Sequence, residues 1–252
     1  MEQYRVPNKL PSEEINILAQ RKGRLKQAAQ RTAPAPRKKN NRYSFKKIEK
    51  IVAASRIAER DTKRILRNFL QTGFRLKNPE IEEGRLILIY RHRAKRVENK
   101  PVLRYLNDLN LPFMKCAAFH RLTPEVHAML KIVEPYVIWG YPQMTVIHDL
   151  IFKYGALRNT DTNLRAKSVP LSSNKLVEDI FGTYGIICVD DLVHEIMTLG
   201  PNFDKVQQHF RSFVLRNPLG GWKGARKGKL RSIGGEAGFR GDAINELFQK
   251  LL

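Results

Sequence analysis

Apolar positions change rhythm along this chain. They are sparse and unpatterned over residues 1–42, and take a helical spacing over 43–72. From residue 85 short apolar runs alternate with helical stripes. Tyr43, Ile48, Ile51, Val52, Ile57, Ile65, Leu66, Phe69 and Leu70 recur at three- and four-residue spacings, with no Gly or Pro before Gly73. That pattern predicts one long helix with a thin apolar stripe. Three uses fit such a helix: a strut on RNA, a coiled-coil strand, or a membrane-surface helix. The stripe is too irregular for sustained heptads and carries few bulky aromatics, which favours the strut.

The run RLILIYRHR (85–93) is short, apolar and β-branched and reads as a buried strand. PVLRYLNDLNL (101–111) has helical spacing, and FMKCAAFHRL (113–122) reads as a second strand. Thr123 and Pro124 are a cap and a first-turn proline, so a helix is expected from there to about Trp139, stopped by Gly140, Tyr141 and Pro142. A third strand is expected within 165–172. Further helices follow over 174–185 and 190–200, a short one within 201–219, and an amphipathic turn over 242–252. No internal repeat is present. Strand, helix, strand, helix predicts an α+β chain that begins as a split β-α-β layer with helices on one face. The divisions that follow are a basic extended arm (1–42), a long basic helix (43–78), a core (79–172) and a C-terminal extension with a Gly-rich basic loop (173–252).

Charge adds the next constraint. The 252 residues hold 46 Lys and Arg against 24 Asp and Glu, a formal +22. Positions 1–80 carry 21 basic and 7 acidic residues, which is +14 of that total. Such self-repulsion and asymmetry point to a partner of dense negative charge, nucleic acid first. A basic solvated face is the blander explanation. No apolar run approaches the roughly 20 residues of a spanning helix, and MEQYRVPNKLPSEE lacks the apolar core of a signal peptide, so no membrane partner and a cytosolic or nuclear setting are expected. Cys116 and Cys188 stand far apart in apolar surroundings and read as buried free thiols of a reducing compartment.

The candidate RNA-binding cations fall in four groups. Arg37, Lys38, Lys39 and Arg42 end the arm. Lys46, Lys47, Lys50, Arg56, Arg60, Arg64 and Arg67 lie along the long helix. Arg91, Arg93, Lys95, Arg96 and Lys100 follow the first strand. Lys223, Arg226, Lys227, Lys229 and Arg231 sit in the Gly-rich stretch 220–241, where glycines let backbone approach a sugar-phosphate closely. Asp190, Asp191, His194 and Glu195 are the most enzyme-like cluster, because a helix puts an acid and His194 on one face. Acidic residues in a first helical turn are, more simply, caps. His148–Asp149 has the same reading. No hydrolase, zincin or P-loop signature occurs, so neither a catalytic residue, a metal, a cofactor nor a small-molecule substrate is expected. Trp139 reads as core beside a turn, while Tyr141 is left between core and a base-stacking role.

Four long stretches carry a family resemblance: KIVEPYVIWGYP (131–142), HDLIFKYG (148–155), YGIICVDDLVHEIMTLG (184–200) and GGEAGFRGDAINELF (234–248). In order and spacing they resemble the eukaryotic L-seven branch of the universal L-thirty family of large-subunit ribosomal proteins. The match covers roughly 80–252; the first 80 residues match in type only. The resemblance implies a small three-stranded antiparallel sheet with two helices on one face, a ferredoxin-like arrangement, with an N-terminal helix running over ribosomal RNA and a helical C-terminal extension. It implies a non-enzymatic constituent of the large subunit, binding large-subunit ribosomal RNA and neighbouring ribosomal proteins in cytosolic ribosomes after nucleolar passage. A ribosome-assembly factor with the same body is the alternative. Members usually carry glycines and a Ser-Pro after the first strand; here RHRAKRVENKPVLR has no glycine, though it keeps the cationic character.

Overall fold

The computed structural model describes residues 46–72, 84–94, 97–158, 168–222, 229–231 and 234–252. The arm 1–42 and Lys95, Arg96, Lys223, Arg226 and Lys227 lie outside the described residues.

The long helix is present as α1 (Ile48–Thr72). After it come β1 (Leu86–Arg91), α2 (Lys100–Asp108) and β2 (Cys116–Arg121). The Asn99 side chain caps α2, accepting from the Val102 N–H at 3.3 Å, with Pro101 in the first turn. Thr123 caps α3 (Pro124–Val133) through its hydroxyl, which accepts from the Val126 N–H at 3.3 Å. A 3₁₀ turn (Glu134–Tyr136) leads into β3 (Val137–Gly140), and α4 (Met144–Tyr154) follows.

Here the structure corrects the sequence expectation twice. The helix opened by Thr123 ends at Val133 rather than near Trp139, and VIWG is the third strand of the main sheet. Pro135 cannot continue the helix, and the run after it is β-branched and aromatic. The strand expected within 165–172 exists as β5 (Ser168–Pro170), but it pairs with β4 (Ala156–Arg158) in a separate two-stranded ribbon.

The remainder of the chain forms α5 (Asn174–Phe181), α6 (Val189–Thr198), α7 (Phe203–His209), β6 (Phe213–Val214), β7 (Gly238–Gly241) and α8 (Ile244–Leu251). The main sheet has five strands in the order β6-β2-β1-β3-β7. Its centre is an antiparallel trio whose third member is VIWG rather than the strand expected within 165–172, with Ile89 opposite both Ala118 of β2 and Trp139 of β3. The two additions come from the C-terminal third: β6 joins β2 antiparallel and β7 joins β3 parallel. The fold is α+β, with a mixed five-stranded sheet where three antiparallel strands were expected.

Both faces of that sheet are covered, which explains why β1 reads as the unbroken run LILIY. Leu88, Tyr90, Phe119 and Ile138 face one core, filled by Leu150 and Ile151 of α4, Phe181, Ile196, Phe203 and Phe248. Ile87, Ile89, Val137 and Trp139 face the other, filled from α2 and α3 by Val102, Leu106, Leu130 and Val133. Helices therefore occupy two faces, not one. Cys116 is buried as expected, but Cys188 is only half-buried. Its Sγ caps α6, accepting from the Asp191 N–H at 3.3 Å.

Candidate nucleic-acid interface

The long basic helix is fixed to the body by a polar latch. Midway along α1, the Tyr136 hydroxyl donates to the carboxylate of Asp61, which is 7% exposed. One turn on, the Arg64 guanidinium donates to the carbonyls of Lys131 (3.2 Å) and Ile132 (2.7 Å). These are carbonyls at the C-terminal end of α3, where a cation also meets the negative end of the helix dipole. The Asn99 amide donates to the Thr62 hydroxyl at 3.2 Å, so the residue that caps α2 also holds α1. Ile65 closes the contact against the second core. Burial, the Asp61 hydrogen bond and its charge all push the Tyr136 phenol above its ordinary range, keeping it a neutral donor at physiological pH.

With one side of α1 committed, the cations sort by face. Arg56, Arg60, Lys63 and Arg67 follow the spacing i, i+4, i+7, i+11 and form one exposed stripe away from the latch. At 1.5 Å per residue the stripe is about 17 Å long. Lys46, Lys47 and Lys50 are exposed near its start. Lys63 pairs with Glu59 at 2.7 Å, an exposed contact that lowers the Glu59 carboxyl.

Cation-bearing segments distant in sequence converge at one end of the sheet. Arg91 of β1 lies opposite Val137 of β3, and Ile138 beside Gly238 of β7. These residues mark a common end, on which the Arg64–α3 contact also falls. Arg93 is exposed and near enough to Tyr136 for its charge to act on the phenol. Lys229 and Arg231 are tied to Ala237, just before β7: the Ala237 N–H donates to the Lys229 carbonyl at 3.0 Å, and the Arg231 N–H to the Ala237 carbonyl at 3.1 Å. Gly235 allows this turn, because a β-carbon there would overlap the Lys229 carbonyl. Lys100 is exposed beside the capping residue Asn99. Glu134 lies within this end; burial raises its carboxyl, opposed by Arg64 and Lys131.

Two sequence candidates do other work. Arg91 is 1% exposed, and its guanidinium donates to the carbonyls of Leu111 (2.8 Å), Pro112 (2.9 Å) and Ala94 (2.8 Å). A side chain turned inward with donors on three carbonyls has no face for a phosphate. Arg64 is likewise engaged, as the latch. Sequence reasoning missed Asp61, Asn99 and Lys131. Asp61 was discoverable as an acid inside a cationic helix, and Asn99 as a capping residue ahead of Lys-Pro.

The acidic cluster has the geometry of a cap. Asp191 accepts from the Cys188 (3.1 Å) and Ile187 (3.2 Å) N–H groups; the Cys188 side chain first, and then these N–H groups, hold its carboxyl below the ordinary range. Asp190 sits 3.9 Å from the His148 ring, and His194 is exposed. Among the described residues no three His, Cys, Asp or Glu side chains group as metal ligands, and no helix is long and apolar enough to cross a membrane. Trp139 is core, 4% exposed, and Tyr141 is buried beneath the Arg85 guanidinium, 4.1 Å from the ring centroid.

No family model matches the chain. Relatives match over nearly its whole length. It is 34% identical to large ribosomal subunit protein uL30 of Caenorhabditis elegans, covering 97% of this chain and 98% of the relative. It is 34% identical to uL30 of Yarrowia lipolytica, covering 89% and 86%. Large ribosomal subunit protein uL30-like 1 of Mus musculus is 30% identical over 96% of each chain. On that identity and coverage, the chain belongs to the uL30 family of large ribosomal subunit proteins.

Proposed function

We propose that this protein is a structural, non-catalytic constituent of the large ribosomal subunit, holding ribosomal RNA by charge neutralisation while its double-cored body sets position. The observation that supports this reading is the exposed cationic stripe of α1 together with the convergence of the cation-bearing segments after β1 and around Lys229–Arg231 at one end of the sheet. The stripe Arg56, Arg60, Lys63 and Arg67 meets backbone phosphates, and Lys46, Lys47, Lys50, Arg93, Lys100, Lys229 and Arg231 extend that surface. The arm cations Arg37, Lys38, Lys39 and Arg42, together with Lys95, Arg96, Lys223, Arg226 and Lys227, complete it in this reading. In this reading its partners also include neighbouring ribosomal proteins, and it works in the cytosolic ribosome after a nucleolar assembly stage.

Neutralising roughly 6–10 phosphates costs about 10³–10⁵ in affinity between 50 and 200 mM salt. Binding to large-subunit RNA that hardly responds to salt contradicts the proposal. In lysate sedimentation the protein is expected with mature large subunits and polysomes. Confinement to nuclear pre-ribosomal particles would assign it to assembly instead, and appearance only at the top of the gradient would exclude both.

A further inference from the structure

The loop between α2 and β2 lies at the same end of the sheet as Arg91 and is fixed there at a cost. Three residues with side chains take left-handed backbone around the buried Arg91: Ala94 (φ 64°), Asn110 (φ 55°) and Lys115 (φ 72°). Asn tolerates that conformation, whereas Ala and Lys are strained in it. Each is pinned. The Ala94 carbonyl accepts from the Arg91 guanidinium at 2.8 Å, and the Lys115 N–H donates to the Arg91 carbonyl at 2.7 Å. The Asn110 N–H donates to the Asn107 carbonyl at 2.9 Å, and its side chain accepts from the Arg158 guanidinium at 2.9 Å. Arg91 also grips the carbonyls of Leu111 and Pro112, and the Leu111 side chain is fully buried. The next residue, Phe113, is 59% exposed. Strain of this kind persists only where the surroundings over-determine it, and it gathers at functional sites.

Cation-bearing segments are tied to the same loop. Arg93, exposed, lies between Arg91 and Ala94 in the chain. Lys115, half-buried, closes the loop, and its carbonyl accepts from the Leu215 N–H at 2.9 Å. The exposed Arg216 follows, its carbonyl accepting from the Tyr90 hydroxyl at 3.2 Å. From this arrangement we infer that Phe113 is a platform on which one unpaired RNA base stacks, with the adjoining phosphates met by Arg93, Lys115 and Arg216. Aromatic rings set among cations hold single-stranded RNA in this way, because every base has a π-face and every nucleotide a phosphate. The loop is already fixed, which lowers the ordering cost when a base arrives. The charge of the surrounding segments selects this occupant over an apolar pocket of a protein, which would leave the cations without counter-charge. The inference rests on the RNA-binding reading above and deepens it.

The test measures the full chain on oligoadenylate and on an abasic strand of equal length and charge, across a salt series. The wild-type protein is expected to prefer oligoadenylate by about five- to tenfold, the lower end for one stacked base. Phe113→Leu keeps an apolar side chain and removes the ring. It is expected to erase the preference and to leave abasic affinity, salt response and melting temperature unchanged. Phe113→Trp returns a ring; it is expected to restore the preference and to add emission that oligoadenylate quenches and the abasic strand does not. Salt-dependent binding with equal wild-type affinity for the two strands overturns the inference, as does a preference that survives Phe113→Leu. A Phe113→Leu variant unchanged on both strands but lost from sedimenting large subunits would assign the ring to a protein pocket, and also overturns it. Absence of salt-dependent binding to either strand overturns the RNA-binding reading itself, and the inference with it.

Discussion

Arg91 and His120 show what burial does to groups that look surface-active in a sequence. Arg91→Met removes a charged donor from three carbonyls and is expected to cost about 1–3 kcal/mol, read by denaturant unfolding. The salt response of RNA binding by the folded fraction stays unchanged. His120 is held between the Leu109 carbonyl, 2.9 Å from Nε2, and the Gln207 amide, 2.8 Å from Nδ1. With Nε2 donating to Leu109 and Nδ1 accepting from Gln207, the ring is neutral. Burial depresses its pKa below the ordinary 6.5, against the pull of the Leu109 carbonyl. The unfolded chain then binds the extra proton first, so stability is full above about 6.5 and falls as pH drops below it. His120→Gln is expected to flatten that limb, which urea midpoints between pH 5 and 8 would reveal. Cation clusters were legible in the sequence, but whether a given guanidinium pointed inward was not. Arg91 closes a strand and Arg64 lies in a basic helix, and both choices depend on carbonyls brought in from elsewhere in the fold.

Among the elements, those with long local signals were readable and the short ones were not. LILIYR and CAAFHR are six-residue strands with apolar runs, and α1 shows helical spacing over 25 residues. VIWG is only four residues long and follows a helix, so periodicity could not separate it from that helix. GFRG is poor in strand propensity and becomes a strand because β3 offers it an edge. The pairing demands glycine: a β-carbon on Gly140 would overlap the Gly241 carbonyl and approach the Ile244 side chain. Gly140→Ala is expected to lower the melting temperature by several degrees and to speed amide exchange in Gly238–Gly241. Failure to change either would mean that β3 and β7 part without cost. The resemblance motifs 131–142 and 234–248, distant in sequence, are the two sides of this junction. For the latch, Tyr136→Phe leaves the Asp61 carboxylate with only the Arg64 guanidinium, 3.4 Å away, and about 1–3 kcal/mol of stability is expected to be lost, together with exchange protection around Asp61 and Ile65.

For the whole molecule, the +22 charge is best viewed as a surface with separated duties. One side of α1 binds the body, another presents four aligned cations. Replacing Arg56, Arg60, Lys63 and Arg67 with Gln is expected to reduce the log-affinity against log-salt slope for large-subunit RNA by about 3–4, at unchanged melting temperature. An unchanged slope would place the phosphates elsewhere. The same topology also dictates how the chain must fold. Cys116 pairs with Val214 and Ile138 with Gly238, partners about a hundred positions apart, and these are the pairings that close the two margins of the sheet. Loop-closure entropy makes such contacts late. Until they form, β2 and β3 present bare hydrogen-bonding edges, and edges of that kind recruit other chains. Pulse-labelled refolding is expected to protect the amides of β1 before those of β6 and β7. Concentrated refolding is expected to lose protein to aggregation in that interval, so the strands that finish the sheet also guard the chain against its own copies.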